Sequence, residues 1–257
     1  MKVALVQMTV AAGDVAENRR RGIAMTEEAA GRAEVVVLPE IWTTGYALRQ
    51  VAEWAETETG PTITALAAIA RRSGAAIIAG SLAMRVGDKI GNRSVVIGPD
   101  GRIAAGYEKL HLFSMTGEER FFAPGDRRTV FALAGMKAGL AICYDLRFPE
   151  LFRRLALDGA QAIFLPAEWP AARGAHWDIL VRARAVENQV YICAVNCVGE
   201  HRGSRFYGHS MLVGPEGQVL AEGGDAEGVI YGEIDPAVVA EARETMRVWQ
   251  DRREEVY

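Results

Sequence analysis

Ala33-Glu34-Val35-Val36-Val37-Leu38-Pro39-Glu40-Ile41-Trp42 and Ala160-Gln161-Ala162-Ile163-Phe164-Leu165-Pro166-Ala167-Glu168-Trp169 are one pattern met twice in the chain. Each carries an unbroken apolar run, Val35 to Leu38 and Ala162 to Leu165, closed by a proline. Such runs, without polar alternation, read as strands covered on both faces in an α/β protein. Two more pairs echo in the same order. Met1-Lys2-Val3-Ala4-Leu5-Val6 matches Met136-Lys137-Ala138-Gly139-Leu140-Ala141, and Ser94-Val95-Val96-Ile97-Gly98-Pro99-Asp100-Gly101 matches Ser210-Met211-Leu212-Val213-Gly214-Pro215-Glu216-Gly217. Three matches in register indicate one architecture used twice.

Each half reads strand, helix, strand, helix, strand, hairpin. Helices are expected over 16–32 and 60–73, then 149–158 and 176–189. Strands are expected over 2–8, 34–38, 75–81, 93–98 and 102–108, then 137–143, 161–166, 190–196, 209–214 and 218–223. Gly98-Pro99-Asp100-Gly101 and Gly214-Pro215-Glu216-Gly217 supply the hairpin turns, with glycine available for positive φ. A last strand over 228–234 precedes a charged helix from about Pro236. Two sheets stacked face to face, each with helices outside, make a four-layer α-β-β-α sandwich with an internal pseudo-twofold duplication. One wide sheet is the alternative that the pattern leaves open.

The chain has 257 residues, is half hydrophobic and one quarter charged, and carries a net charge of −4. This is the balance of an ordinary globular protein, and it gives no sign of a nucleic-acid or anionic-membrane partner. No apolar run approaches the roughly 20 residues of a membrane span, and with a strand-like run from Met1 no signal peptide is expected. A cytoplasmic location is expected. The three cysteines, Cys143, Cys193 and Cys197, are too few for a disulfide framework. Their spacing and the scattered histidines match no zinc ribbon, so neither a metal nor a cofactor is expected.

Polar residues at strand ends break the duplication. Cys143 stands where the first half has Met8, and Glu40 where the second half has Ala167. Lys109 follows the strand 102–108 with no counterpart. Packing alone does not need a thiol, a carboxylate and an ammonium at one edge. Cys143 also lies between an apolar strand and a helix that opens near Pro149, where N–H groups can favour a thiolate and bind an oxyanion. His111, between Leu110 and Leu112, reads as a structural loop histidine. Arg182, Arg184 and Glu187 share a helix face and read as a brace.

Leu38-Pro39-Glu40, Glu108-Lys109-Leu110-His111-Leu112-Phe113 and Cys143-Tyr144-Asp145-Leu146-Arg147-Phe148-Pro149-Glu150 together resemble the three signature segments of the nitrilase superfamily, the carbon–nitrogen hydrolases. The likeness continues through Trp169-Pro170, His176-Trp177 and Ala183-Arg184-Ala185-Val186-Glu187-Asn188-Gln189, over nearly the whole chain, 1–257, as a single domain. It implies the four-layer sandwich, a homodimer or higher homo-oligomer, and a Glu40, Lys109, Cys143 triad. A second family glutamate falls on Glu118 by its spacing to Gly125, with Glu119 as its competitor. In the implied reaction Glu40 takes the thiol proton and Lys109 favours the thiolate by charge. Lys109 and the Tyr144 N–H then hold the oxyanion.

The segment Cys-Tyr-Asp-Leu-Arg-Phe-Pro-Glu is similar to the amidase branch that includes ω-amidases and deaminated-glutathione amidases. It differs from the Trp-Glu of true nitrilases and the Asn-Asp-Arg-Arg of carbamoylases at the positions after the cysteine. The implied substrate is a small carboxylate with a terminal carboxamide, such as 2-oxoglutaramate. Its carboxylate calls for a cation, for which Arg147 and then Arg173 are the candidates. An ion pair of Arg147 with Asp145 or Glu150 is the competing reading. Tyr46, Trp169 and Tyr144 are candidate pocket walls. A nitrilase, a carbamoyl hydrolase and a non-enzymatic binding protein on the same fold remain the rivals. A nucleotide-binding α/β protein is disfavoured by the lack of a glycine-rich phosphate loop. The aromatic, charged tail from Trp249 to Tyr257 is expected to dock on the body or on a second subunit.

Overall fold

The computed structural model describes residues 1–201 and 203–256. Its two large sheets repeat the same order. The first runs Gly228–Glu233, Lys2–Gln7, Val35–Val37, Ala76–Ile78, Lys89–Ile97, with Leu82–Val86 and Ile103–Glu108 both pairing with Lys89–Ile97. The second runs Val130–Leu133, Met136–Leu140, Ala162–Pro166, Tyr191–Val195, Met211–Val213, Val219–Glu222. In each, three parallel strands occupy the centre and antiparallel strands flank them. The three sequence echoes thus land on equivalent strands.

Strand alternation divides the core. Val3, Leu5, Val35, Val37, Ala76 and Ile78 share one apolar cluster with Ala138, Leu140, Phe164 and Ala194 of the other sheet. Their neighbours Ala4, Val6, Val36, Leu38 and Ile77 turn the opposite way, onto Ala29, Ile63, Leu66 and Ile69 of the helices Val15–Ala30 and Pro61–Ser73. On the far side, Leu151, Phe152 and Leu155 of Pro149–Leu157 and Trp177, Val181 and Ala185 of Gly174–Asn188 cover the second sheet. This is the four-layer arrangement. Each of the larger side chains removed from water contributes roughly 1.5–3 kcal/mol.

Helix ends follow local chemistry. Asp14 caps Val15–Ala30 by accepting from the Glu17 N–H at 3.2 Å, and Pro61 and Pro149 occupy first-turn positions that need no N–H. Both hairpin turns close as expected, the Gly98 N–H donating to the Arg102 oxygen at 2.8 Å and the Gly214 N–H to the Gln218 oxygen at 2.9 Å.

Two expectations need correction. The stretch 75–81 is not one strand: Ala76–Ile78 stops at Gly80, and an extra strand, Leu82–Val86, follows. A second unexpected strand, Val130–Leu133, forms a hairpin with Met136–Leu140 across Ala134 and Gly135, both at positive φ. The helix does open at Pro149 as expected, but Cys143 does not run straight into it. A 3-10 turn, Cys143–Arg147, comes first, because Asp145 draws the backbone back on itself before Pro149 can start the helix.

The tail packs on the body through Trp249, which carries Arg153, Arg243 and Arg252 around its ring at 5.1, 4.9 and 6.0 Å. Tyr257, the end of that expected tail, lies outside the described residues.

Gly80 has φ +63°, and a Cβ there would stand 2.0 Å from the Pro39 oxygen and 2.7 Å from the Leu38 carbonyl carbon. Gly80→Ala is therefore expected to destabilise the fold by about 3 kcal/mol and to shift the strand end that carries Glu40. Thermal melting and turnover, measured together, check this; unchanged values of both would show that the loop yields freely.

Candidate active site

Glu40 follows the strand Val35–Val37, Lys109 follows Ile103–Glu108, and Cys143 follows Met136–Leu140. Two of these strand ends belong to the first sheet and one to the second, so the site spans the seam between them. The seam is tied by the Glu40 N–H, which donates to the Ala167 oxygen at 3.3 Å.

Lys109, Glu40 and Glu118 are each fully buried. Lys109 Nζ donates to Glu40 Oε1 at 2.7 Å and to the two Glu118 oxygens at 3.0 and 2.9 Å. Glu118 also accepts from the Phe113 N–H at 2.9 Å and the Tyr46 hydroxyl at 2.7 Å, whereas Glu119 is exposed. Glu40 accepts from Asn92 Nδ2 at 2.8 Å and from the Glu168 N–H at 3.1 Å. Burial by itself would lower the Lys109 pKa, but the two carboxylates outweigh it and the pKa is raised.

Cys143 is 6 % exposed. Glu40 and the Glu168 N–H both lie within electrostatic reach of its thiol. Burial pushes the thiol pKa well up, the charge of Glu40 adds to this, and Lys109 only partly offsets it. Cys143 thus rests as a thiol. The ammonium has carboxylates at hydrogen-bond distance, which spend its field before it reaches the sulfur.

Cys143 sits at φ +44° and Ile41, next to Glu40, at φ +31°. Such conformations cost about 1–3 kcal/mol each for residues with a Cβ, so the surroundings must hold them. Asp145 does so for the thiol. It accepts from the Ile142 N–H at 2.9 Å, the Tyr107 hydroxyl at 2.6 Å, and the His111 N–H at 3.0 Å, with His111 Nδ1 at 2.7 Å. His111 stacks on Phe148 at 3.6 Å, which is the structural part expected of it. Arg184 Nε donates to the Leu146 oxygen at 3.0 Å and pairs with Glu187 at 3.1 Å, so that brace also steadies the turn. Ile41 is held by its N–H donating to Ser81 Oγ at 2.9 Å.

The thiol opens into a cavity of about 430 Å³ that Tyr46, Cys143, Arg147, Glu168, Trp169 and Arg173 help to line. Arg147 forms no ion pair with Asp145 or Glu150; it lies over the Trp169 ring at 4.9 Å and meets His176 Nδ1 at 3.2 Å. Asp145 is not free to pair, since its oxygens are taken up within the turn. Arg173 lies over Phe113 at 5.7 Å. Arg49 and Arg120 line the same cavity, and among the described residues none of these four arginines has a carboxylate partner. The Tyr144 ring is turned away from the cavity onto Phe113 and Phe148, at 4.9 and 5.4 Å, which corrects its expected place as a wall.

The sequence reading missed Asn92, Arg49, Arg120 and above all Glu168. Asn92 lies inside a strand and gave no signal. Glu168 had one: it is one residue beyond the position equivalent to Glu40 in the duplication. Among the described residues no group of side chains is arranged to hold a metal.

The family described as carbon-nitrogen hydrolase matches residues 2–244. The chain is 38 % identical to the 2-oxoglutaramate amidase of Bacillus subtilis (strain 168), over 99 % of this chain and 98 % of that one. It is 35 % identical to the omega-amidase NIT2 of Xenopus tropicalis, over 100 % of this chain and 96 % of that one. A solved structure of the amidase from Nesterenkonia sp. AN1, a Glu-to-Gln variant, superposes with a TM-score of 0.87 at 29 % identity, over 100 % of this chain and 95 % of that chain. That structure shows covalent addition of the acetamide moiety of fluoroacetamide at the active-site cysteine.

Proposed function

Since the chain belongs to the carbon–nitrogen hydrolase family, and is thereby a hydrolase acting on carbon–nitrogen bonds, we propose that it removes ammonia from the terminal carboxamide of a small carboxylate, as 2-oxoglutaramate is hydrolysed. The observation that carries this reading is a buried thiol, with a carboxylate and an ammonium beside it, in a cavity whose four arginines have no carboxylate partner among the described residues. The guanidinium groups meet the substrate carboxylate and leave the carboxamide at Cys143.

Chemistry then follows from the geometry. Cys143 is a thiol at rest, so Glu40 takes its proton as the sulfur attacks the carbonyl carbon. Lys109 Nζ and the Tyr144 N–H hold the oxyanion, a kind of contact worth about 3–4 kcal/mol per donor in the transition state. Glu40 gives the proton to the departing nitrogen, ammonia leaves, and a thioester remains on Cys143. Glu40 then deprotonates a water, which adds to the thioester; collapse releases the acid, and the proton returns to sulfur. Glu118 keeps Lys109 in place throughout. The working unit is one domain over 1–257, assembled as a homodimer or larger homo-oligomer in the cytoplasm. Ile179 and Val186, 65 % and 48 % exposed on the helix Gly174–Asn188, support the assembly.

Ammonia release from 2-oxoglutaramate, glutamine, an N-carbamoyl amino acid and a nitrile tests the reading. Preference for 2-oxoglutaramate is expected, with Arg147→Ala raising KM about 10- to 100-fold while kcat changes little, as loss of a charge-assisted hydrogen bond predicts. Preference for the nitrile or the carbamoyl compound would replace the substrate class, and no turnover of any of them would revive the binding-protein reading.

A further inference from the structure

Among the described residues Glu168 is the one carboxyl group lining the cavity, and it is out of keeping with its surroundings. It is 2 % exposed, and neither of its carboxyl oxygens has a hydrogen-bond partner among the described residues. A buried polar group without a partner is costly, on the order of 1–3 kcal/mol, so its retention asks for a reason. Its position supplies one. The Glu168 N–H donates to Glu40 and lies within electrostatic reach of the Cys143 thiol, so this residue stands beside the base and near the nucleophile. In the proposed reaction the leaving nitrogen must lie at Glu40, which delivers its proton. Glu168, whose own N–H bonds Glu40 and whose carboxyl group is unpartnered among the described residues at the cavity wall, is placed to meet that nitrogen.

We propose that Glu168, as a neutral carboxylic acid, is a substrate-recognition residue that accepts a hydrogen bond from the N–H of the substrate's carboxamide. The inference rests on the amidase reading and extends it to the selection of the uncharged end. A neutral acid sets an O–H donor beside a carbonyl acceptor, which can face the carbonyl and one N–H of a carboxamide, and it adds no negative charge to a cavity that must admit a carboxylate. Burial pushes its pKa well up, and Glu40 and Glu118 push the same way against a smaller opposing effect of Lys109. Tyr46 and Cys197 also feel the Glu168 charge, and neither carries a balancing positive charge; Arg49, Arg120, Arg147, Arg173 and His201 line the same cavity.

The test compares Glu168→Gln and Glu168→Ala with the wild type on 2-oxoglutaramate. Alongside, methyl methanethiosulfonate, a small thiol reagent without an amide, labels Cys143. Glu168→Ala should lose about ten-fold or more in kcat/KM, as expected for one hydrogen bond in a water-poor site. Glu168→Gln, neutral and equal in shape, should keep at least about a third of it. The labelling rate should stay within about two-fold in both variants, which a merely structural part for Glu168 would not allow. The inference is overturned if Glu168→Ala matches the wild type, if Glu168→Gln falls as far as Glu168→Ala, or if labelling falls in step with turnover. Absence of ammonia release by the wild type from any carboxamide would instead remove the amidase reading beneath it.

Discussion

Cys143→Ala is expected to lower turnover by about 10⁴-fold or more, to background, while leaving the fold in place. The size follows from the chemistry. Every bond change runs through the sulfur, and no second thiol can take over. Cys193 and Cys197 are fully buried, burial raises the pKa of both, and neither lines the cavity. The small effect on stability follows from packing. Only one atom is lost, Asp145 and Arg184 still fix the turn, and alanine meets the same backbone strain as cysteine. The cost should be about 1 kcal/mol or less. Ammonia release and a melting curve on the same sample check both parts. Residual activity above about 1 % of wild type would mean that another group attacks the amide.

Lys109→Met should be damaging on both counts. Turnover falls by about 10³-fold because an oxyanion donor disappears. Stability falls by about 3–5 kcal/mol near neutral pH, because two buried carboxyl groups lose the cation between them. The pH dependence has a definite sign. Burial already raises the Glu118 pKa and Lys109 works against that rise, so the variant's Glu118 pKa climbs further above its unfolded value. A carboxyl group with a raised folded pKa gives up stability as pH increases beyond the unfolded pKa of about 4.5. The deficit relative to wild type should therefore be smallest near pH 4.5 and widen toward pH 7.5. Melting temperatures across that range measure it, and a deficit independent of pH would show that Glu118 is not sensing Lys109.

These expectations turn on burial, and burial divides what the sequence discloses from what it conceals. The repeated apolar runs disclosed the central strands, since a strand covered on both faces has no alternative to a continuous hydrophobic stretch. Glu40, Lys109 and Cys143 were legible because each breaks that pattern at a strand end. Leu82–Val86 was not, because Gly80 bends the chain within a run that otherwise looks continuous. The state of the thiol was not legible either. A lysine and a glutamate near a cysteine pull its pKa in opposite directions, and only their distances decide which prevails. Glu168 was hidden by its chemistry: next to Trp169-Pro170 an acidic residue reads as solvated, and only the folded chain shows it buried at the cavity wall without a partner among the described residues.

Glu40 and Lys109 come from one sheet and Cys143 from the other, with the backbone bonds at Glu40 as stitches between them. Neither half of the duplication holds a working set of groups. Turnover regained during refolding therefore reports the moment the two sheets dock, not the moment either one forms. A mutation far from the cavity that loosens the seam silences the enzyme while both halves keep their secondary structure.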